Sequence, residues 1–462
     1  MRLLRYAGLG ATGLLAVGAF AAGALPGSDP AGVRVVAGVA TALTGAVLLV
    51  VVWFRLRGQP VSERWLLTSG FLWAAPLLLA PPLASRDIYA YACQGALYLD
   101  GHDPYAVGAT AGCPWLDAVP QVWRDSPAPY GPLALVLSAA ATATARALPL
   151  SEHGQLLATV ELLRLVALGG VALLAAYGLR LARVTTVDGA SAIWLGVVTP
   201  LVLVHGVSGA HNDALLAGLV VAGLALAATY RDTSAVVLAG AVLGLAVSVK
   251  VTALVAIPFA ALLMRARQAT YLVTAAGASF AILTALTGLG LGWLSVLPRT
   301  GSLVQWTSLP TGVGMAVGYL LRALGWPQAY EEAVDIARLI GLAVLAVVLA
   351  ALWVEARGQP QRAVVSSAGA ALAATAILAP VFYPWYALTP LAVLAMSTVD
   401  TKQRKALAAV TAVLVFLILP SGLGLAVLTK LPGALLDVAL LAGLALWYLR
   451  RRAAPTTPTA TR

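Results

Sequence analysis

The stretch Ser85-Arg-Asp-Ile-Tyr-Ala-Tyr-Ala-Cys-Gln-Gly95 sets a charged pair among aromatic residues, directly after an apolar run that closes at Pro81-Pro82. The surrounding chain gives this segment its meaning. Of 462 residues, 61% are hydrophobic and only 10% are charged, with a mean hydropathy of +0.91. Such a composition lies far outside that of soluble domains and reads as an all-α polytopic membrane protein, in which only a few short loops face water. A carboxylate at the head of one such loop is poised for chemistry.

Working outward from this segment, apolar runs that are long enough or nearly long enough to span a bilayer fall at about 6–25, 33–54, 65–82, 156–178, 190–207, 211–229, 234–249, 251–264, 270–291, 334–354, 363–381, 386–398, 406–423 and 433–449. The reading is therefore about fourteen transmembrane helices, with 234–264 as one broken hairpin. No repeat period and no soluble domain is visible. Residues 1–450 read as a single membrane domain with large external loops at about 83–155 and 293–333, and 451–462, rich in Pro, Thr and Ala, as a disordered cytoplasmic tail.

Charge gives the orientation. The formal net charge is +11, but Lys and Arg occur in ones to threes at the ends of apolar runs, as at Arg2 and Arg5, Arg55 and Arg57, Arg180 and Arg183, and Arg450–Arg452. This is the positive-inside pattern of short cytoplasmic loops, and it places both termini in the cytoplasm of a plasma-membrane protein. A nucleic-acid surface needs clustered phosphate contacts, and the chain has no basic stripe to make them. The first run reads as a retained signal anchor, with a cleaved signal peptide as the alternative. Between Ser85 and His153 the chain has six acidic residues and three arginines, so this loop is external. The Ala/Thr-rich run 131–148 inside that interval is then expected to lie in the outer interface without crossing, and 311–325 to form a partial helix in the second external loop.

With this topology, the polar residues away from cytoplasmic ends converge on one side. Asp87 opens the large loop, His211-Asn212-Asp213 sits at an external turn, and Lys250 at the apex of 234–264. Glu161, Arg164 and Arg338 lie near outer helix ends, and Tyr383-Pro-Trp-Tyr386 forms another outer turn. Ionisable groups at membrane depth cost a few kcal/mol each and are usually retained for function. Each also has a purely structural reading. Asp87 would cap a short helix, and Asp213 would complement a helix dipole. Lys250, Arg164 and Arg338 would snorkel to lipid headgroups, and the aromatics would form an interfacial belt. Asp100 and Asp103 give a D-x-x-D that reads as a turn around Gly101 and Pro104, with a divalent ion as the alternative. No zinc-type His/Cys spacing occurs, so no metal site is assigned.

Several of these segments taken together resemble a known family. Arg86-Asp87-Ile-Tyr-Ala-Tyr, Gly101-His-Asp-Pro-Tyr105, Trp123-Arg-Asp-Ser-Pro-Ala-Pro-Tyr-Gly-Pro132, His211-Asn-Asp213, Lys250-Val-Thr252 and Tyr383-Pro-Trp-Tyr386 are similar to the polyprenol-phosphate-mannose-dependent α-1,6-mannosyltransferases of lipomannan synthesis, the MptA/MptB type. The resemblance runs from about residue 65 to 400. It implies the C-type membrane glycosyltransferase fold, an essential acid in the first large external loop that maps onto Asp87, a polyprenyl-phosphate-mannose donor, a lipid-anchored or oligomannoside acceptor, and membrane lipids as surroundings. The lipid-linked sugar is a co-substrate, and no cofactor is implied.

The implied chemistry agrees with the residues. An acceptor hydroxyl attacking an anomeric carbon needs a base, expected to be Asp87. The departing lipid phosphate needs positive charge, with Lys250, Arg164 and Arg338 as candidates in that order. The substrate-binding set expected from these segments is Arg86, Tyr89, Tyr91, Gln94, Asp103, Arg124, Tyr130, Arg164, His211, Asn212, Asp213, Lys250, Arg338, Tyr383 and Trp385. A donor carrying arabinofuranose or glucose is the nearest alternative. A secondary transporter fits less well, because neither two-fold hydropathy symmetry nor a mid-span charge is visible. The two cysteines, Cys93 and Cys113, both fall in the large external loop, where an oxidising compartment favours a disulfide; two buried thiols are the alternative.

Overall fold

The computed structural model describes residues 1–22, 32–300, 303–420 and 422–453. The expected disordered tail lies, from residue 454 on, outside the described residues. Among the described residues every regular element is helical, in keeping with a polytopic membrane protein. Seven helices among the described residues are long and apolar enough to cross a bilayer. In chain order the elements up to the first large loop are α1 (Arg2–Ala21), α2 (Val33–Arg55) and α3 (Glu63–Leu78). The loop itself folds as α4 (Asp87–Leu99), a short α5 (Gln121–Arg124) and α6 (Pro132–Arg146). Then follow α7 (Glu152–Val184), α8 (Gly189–Gly196), α9 (Asn212–Thr229), α10 (Thr233–Val249), α11 (Ala256–Leu262), α12 (Ala266–Thr287) and α13 (Trp293–Thr300). The remainder comprises α14 (Leu309–Ala323), α15 (Ala329–Ala356), α16 (Gln361–Leu378), α17 (Leu388–Ala395), α18 (Thr401–Leu414), α19 (Leu425–Leu428) and α20 (Lys430–Ala453).

Several of the fourteen apolar runs are thus not single long helices, and the sequence shows why. The run 190–207 breaks after α8, and a π-helical turn, Val202–Ser208, follows Pro200. The run 386–398 is preceded by Pro384, which starts a short 3-10 turn, and carries Pro390 within α17, which is only 8 residues long. Proline removes a ladder donor and limits how far a helix extends. At 234–264 the expected broken hairpin is present: α10 ends at an extended Lys250 (φ −156°), a 3-10 turn covers Val251–Val255, and α11 returns. The run 131–148 becomes α6, 15 residues, short of a full crossing, and 311–325 becomes α14, also 15 residues.

The described chain falls into two compact units. The larger holds Met1–Thr300, Val347–Ala376 and Tyr383–Leu425; the smaller holds Gly301–Ala346, Ile377–Phe382 and Ala426–Arg462. In the larger unit, α9 is the central helix, with 83% of its apolar window buried. It packs on α7 where Gly218 faces the backbone of Gly170, a close approach that a larger side chain on either glycine would block. At its N-terminal end, α1 lies against α2 and is held to α3 by Arg5, which donates to Ser69 Oγ at 2.9 Å, while Trp73 Nε1 donates to Arg5 O at 2.8 Å. The side chains of Ser62, Ser151, Asp188, Asp232 and Asp400 cap α3, α7, α8, α10 and α18.

The first large loop is folded, not loose. Its α4 packs on α6 and α7, and Cys93 on α4 forms a disulfide with Cys113, as expected, with Cα atoms 5.3 Å apart. Buried Tyr89, Tyr91, Trp115 and Val119 complete this small core. Within the smaller unit, Met315, Val334 and Ala434 pack α14, α15 and α20 together.

Candidate active site

Two short connections aim the site. Ala84 (φ 64°) and Ala210 (φ 46°) both take the left-handed conformation that costs a residue with a Cβ roughly 1 kcal/mol or more. Each stands just ahead of a candidate segment, Ser85-Arg86-Asp87 and His211-Asn212-Asp213. One buried arginine holds both connections. Arg164 donates through Nη1 to Leu78 O (3.1 Å) and Glu161 Oε1 (2.6 Å), and through Nη2 to Ala80 O (2.7 Å) and Ser208 O (3.3 Å). Ser208 Oγ in turn accepts from Leu83 N at 3.0 Å. The Arg164 guanidinium, from the first half of α7, therefore ties the segment entering Asp87 to the one entering His211. Its bonds go to protein carbonyls and one carboxylate, which makes it a positioning group.

Asp87 is the first residue of α4 but does not cap it; Arg86, half-buried, occupies that position. The Asp87 carboxylate instead accepts from Trp123 Nε1 at 2.9 Å, and its amide donates to Ser85 Oγ at 3.1 Å. His211 Nδ1 lies 3.8 Å from Asp87 Oδ2 and 3.4 Å from Tyr91 OH, which is 3.3 Å from Tyr130 OH. Burial pushes the Asp87 carboxyl up to about 6, against the lowering effects of the Trp123 and Ser85 hydrogen bonds and the nearby Lys250 charge. Near neutral pH it is mostly ionised yet basic enough to take a proton.

Lys250 stands across from it. Its Nζ donates to Asp213 Oδ1 (2.9 Å) and Oδ2 (3.2 Å) and sits 3.6 Å from the centroid of the Tyr386 ring. The extended backbone at the break between α10 and α11 presents this side chain, and Gly131 N bonds Val249 O (3.1 Å), drawing the Tyr130 segment alongside. The aromatics of Tyr383-Pro-Trp-Tyr386 continue the site. His211, Trp385 and Tyr383 form one parallel stack, with centroids 3.8 Å apart at 11° and then 4.6 Å apart at 6°. Trp385 is 4% exposed, so it packs inside the protein rather than in an interfacial belt.

The structure thus gathers Asp87, Tyr91, Tyr130, His211, Asp213, Lys250, Tyr383 and Trp385 into one cluster. Asn212 lines a narrow cavity beside Tyr91 and His211. Tyr89 is buried in the loop core, and Gln94 is half-buried on α4. Others lie elsewhere. Asp103 Oδ1 accepts from Tyr105 N at 2.8 Å within its own turn, Asp100 pairs with Arg146 at 2.7 Å, and Arg124 Nε donates to Val119 O at 3.1 Å. Arg338 belongs to the smaller unit, where it donates to Thr311 Oγ1 and Leu303 O, both at 2.9 Å. Three residues of the cluster were not singled out from sequence. Trp123 and Tyr386 stand inside the quoted segments, where an aromatic beside an acid or a lysine was the available signal. His205 is fully buried in the π-helical turn, its ring 5.5 Å from Trp385 and 6.0 Å from His211, and an isolated histidine in an apolar run gave no sign of this.

Helical architecture and a buried loop carboxylate facing a paired lysine define a polytopic membrane protein with an enzyme-like site. Residues 5–266 match the family model described as alpha-(1->6)-mannopyranosyltransferase, N-terminal domain, and residues 310–450 match that of the MptB C-terminal domain. The chain is 35% identical over 371 residues to alpha-(1->6)-mannopyranosyltransferase A of Mycobacterium tuberculosis, covering 76% of this chain and 69% of that one. It is 32% identical over 450 residues to a probable alpha-(1->6)-mannopyranosyltransferase of Mycolicibacterium smegmatis (85% and 79% covered), and 27% identical over 427 residues to alpha-(1->6)-mannopyranosyltransferase B of Corynebacterium glutamicum (86% and 69% covered). No solved structure matches. The chain belongs to the alpha-(1->6)-mannopyranosyltransferase family, and is a membrane glycosyltransferase by that membership.

Proposed function

We propose that this chain moves mannose from a polyprenyl-phosphate-mannose donor onto an α-mannoside acceptor, lipid-anchored or oligomannoside, at the outer face of the plasma membrane. The observation that carries the reading is the Asp87 carboxylate, buried, aimed by Trp123 and flanked by His211, Tyr91 and the Lys250–Asp213 pair. The relatives' printed activity supports the sugar and linkage. In the reaction, the acceptor oxygen forms the new bond to the anomeric carbon while Asp87 takes its proton. The bond from that carbon to the phosphate oxygen breaks, and polyprenyl phosphate leaves with the electron pair. A pyranose passing through an oxocarbenium-like state needs the base placed beside the incoming oxygen and positive charge beside the leaving one. Lys250 is the cation nearest that requirement, and its developing partner would be the lipid phosphate.

In this reading residues 1–450 act as one catalytic domain of the C-type fold, both termini are cytoplasmic, and the loops at 83–155 and 293–333 are external. Membranes containing the protein, incubated with radiolabelled polyprenyl-phosphate-mannose and an α-mannoside acceptor, should yield labelled α-1,6-linked product. Transfer only from a donor bearing arabinofuranose or glucose would overturn the choice of sugar, and no transfer from any polyprenyl-phosphate sugar would overturn the donor class.

A further inference from the structure

At the opposite end of α3 from Asp87, across 16 residues and about 24 Å of helix, the α2–α3 turn and the starts of α8 and α18 enclose a cavity of about 370 Å³. Its lining combines apolar and polar side chains. Trp194, buried in the lining, is held by a reciprocal pair of indole bonds: Trp53 Nε1 donates to Trp194 O at 2.9 Å and Trp194 Nε1 to Trp53 O at 2.8 Å. The exposed Gln59, Asp188 and Thr401, the half-buried Arg57 and the buried Arg404 also line it.

Charge in this lining is out of balance. Arg404, 9% exposed, donates to Ala395 O (3.1 Å), Thr398 O (2.8 Å), Ser191 O (2.7 Å) and Ser191 Oγ (2.6 Å), all neutral acceptors. Arg57 is half-buried and close enough to repel it, Asp188 partly offsets the Arg404 charge, and among the described residues neither arginine forms an ion pair within 4 Å. The local acids also serve helix ends: Asp188 Oδ2 accepts from Ser191 N at 2.8 Å, and Asp400 Oδ1 from Gln403 N at 2.8 Å. Two guanidinium groups, one of them nearly buried, share a recess with the single carboxylate of Asp188, and the remaining positive charge favours a further anion. Planar forks of this kind match phosphate oxygens.

We propose that this cavity binds the phosphate of an anionic phospholipid, with Arg57 contacting the phosphate, Arg404 supplying a fixed charge behind it, and Trp194 receiving the apolar part of the headgroup region. The site is separate from Asp87 and does not depend on the transfer reaction. Its effect would be to join the ends of α2, α8 and α18.

Thermal-shift titration of the purified full-length protein in neutral detergent tests it, with dioctanoyl phosphatidylglycerol, dioctanoyl phosphatidylcholine and inorganic phosphate as probes. The expected result is a saturable rise in Tm with phosphatidylglycerol, weaker with phosphatidylcholine, and an apparent affinity reduced roughly tenfold or more by Arg57→Gln. Gln59→Glu should weaken it too, and Arg183→Gln, a charge change on a neighbouring helix end, should not. An equal, Arg57-dependent response to inorganic phosphate would support the anion site and assign it to a soluble phosphate compound. No saturable response to either anion, or equal losses from Arg57→Gln and Arg183→Gln, would overturn the proposal.

Discussion

Lys250 Nζ donates to both carboxylate oxygens of Asp213, at 2.9 and 3.2 Å, while lying 3.6 Å from the centre of the Tyr386 ring. The cation is thus fully engaged in this state, and a donor phosphate has to draw it away from Asp213. Removing only Lys250 leaves a buried carboxylate uncompensated, at a cost of about 3–5 kcal/mol, so the single variant mixes stability with catalysis. The double variant separates them.

Lys250→Met should lower Tm clearly, and Lys250→Met with Asp213→Asn should recover most of that loss. Transfer should stay depressed about 10²–10³-fold in both, the usual effect of deleting one stabilising group at a developing charge. Single-turnover rates together with melting curves give the answer. A refolded double variant with near-normal rates would leave Lys250 a structural residue.

Trp123→Phe removes the indole N–H that holds Asp87 Oδ1 at 2.9 Å. That bond lowers the Asp87 pKa, so its loss raises it further above about 6. One charge-assisted bond, about 1.5–3 kcal/mol, corresponds to a rise of about one pH unit or more. The acidic limb of the transfer rate should move to higher pH by that amount, with much of the rate regained at pH 8–9. An unmoved limb would show that another group controls it.

The same burial makes a stability prediction. A carboxyl whose folded pKa is raised from 3.8 to about 6 opposes folding when ionised; the penalty is absent below pH 3.8, grows up to about 6 and is full above it. Asp87→Asn should therefore be as stable as the parent or more so at pH 7.5, by up to about 3 kcal/mol. The difference should shrink as the pH approaches 4. Melting curves at the two pH values check the sign.

Much of this site was legible because chemistry placed polar groups where apolar ones are cheaper. Asp87, His211, Asp213 and Lys250 stood out for that reason, and the two cysteines for sharing one loop. Helix number was less legible: runs such as 190–207 and 386–398 have the hydropathy of spans, but the first breaks around Pro200 and the second folds as the end of a 3-10 turn begun at Pro384 and an 8-residue helix. Nor did sequence separate the roles of the arginines. Arg164 and Arg338 have the same composition signal as a phosphate ligand, yet their guanidinium groups hold backbone carbonyls, a long-range pairing that no local pattern encodes. Left-handed turns at Ala84 and Ala210 were invisible because alanine gives no sign of positive φ.

The Cys93–Cys113 bridge closes a separation of 20 residues and ties α4 to the segment that leads toward Trp123. In the chain-entropy account it stabilises the fold by about 3 kcal/mol. Cys113→Ser should lower Tm accordingly and weaken the positioning of Trp123 on Asp87. Mass spectrometry of the parent, alkylated under denaturing, non-reducing conditions, should find neither cysteine labelled; labelling of both would rule the bridge out.

The most direct test of Asp87 as the base is transfer of radiolabelled mannose from polyprenyl-phosphate-mannose by the parent and by Asp87→Asn, reconstituted side by side at pH 7.5. The amide keeps the acceptor for Trp123 but cannot take the proton, so the variant should fold with a Tm equal to or above the parent's and lose transfer by about 10²–10⁴-fold. A well-folded Asp87→Asn protein that transfers mannose within a few-fold of the parent would contradict the assignment.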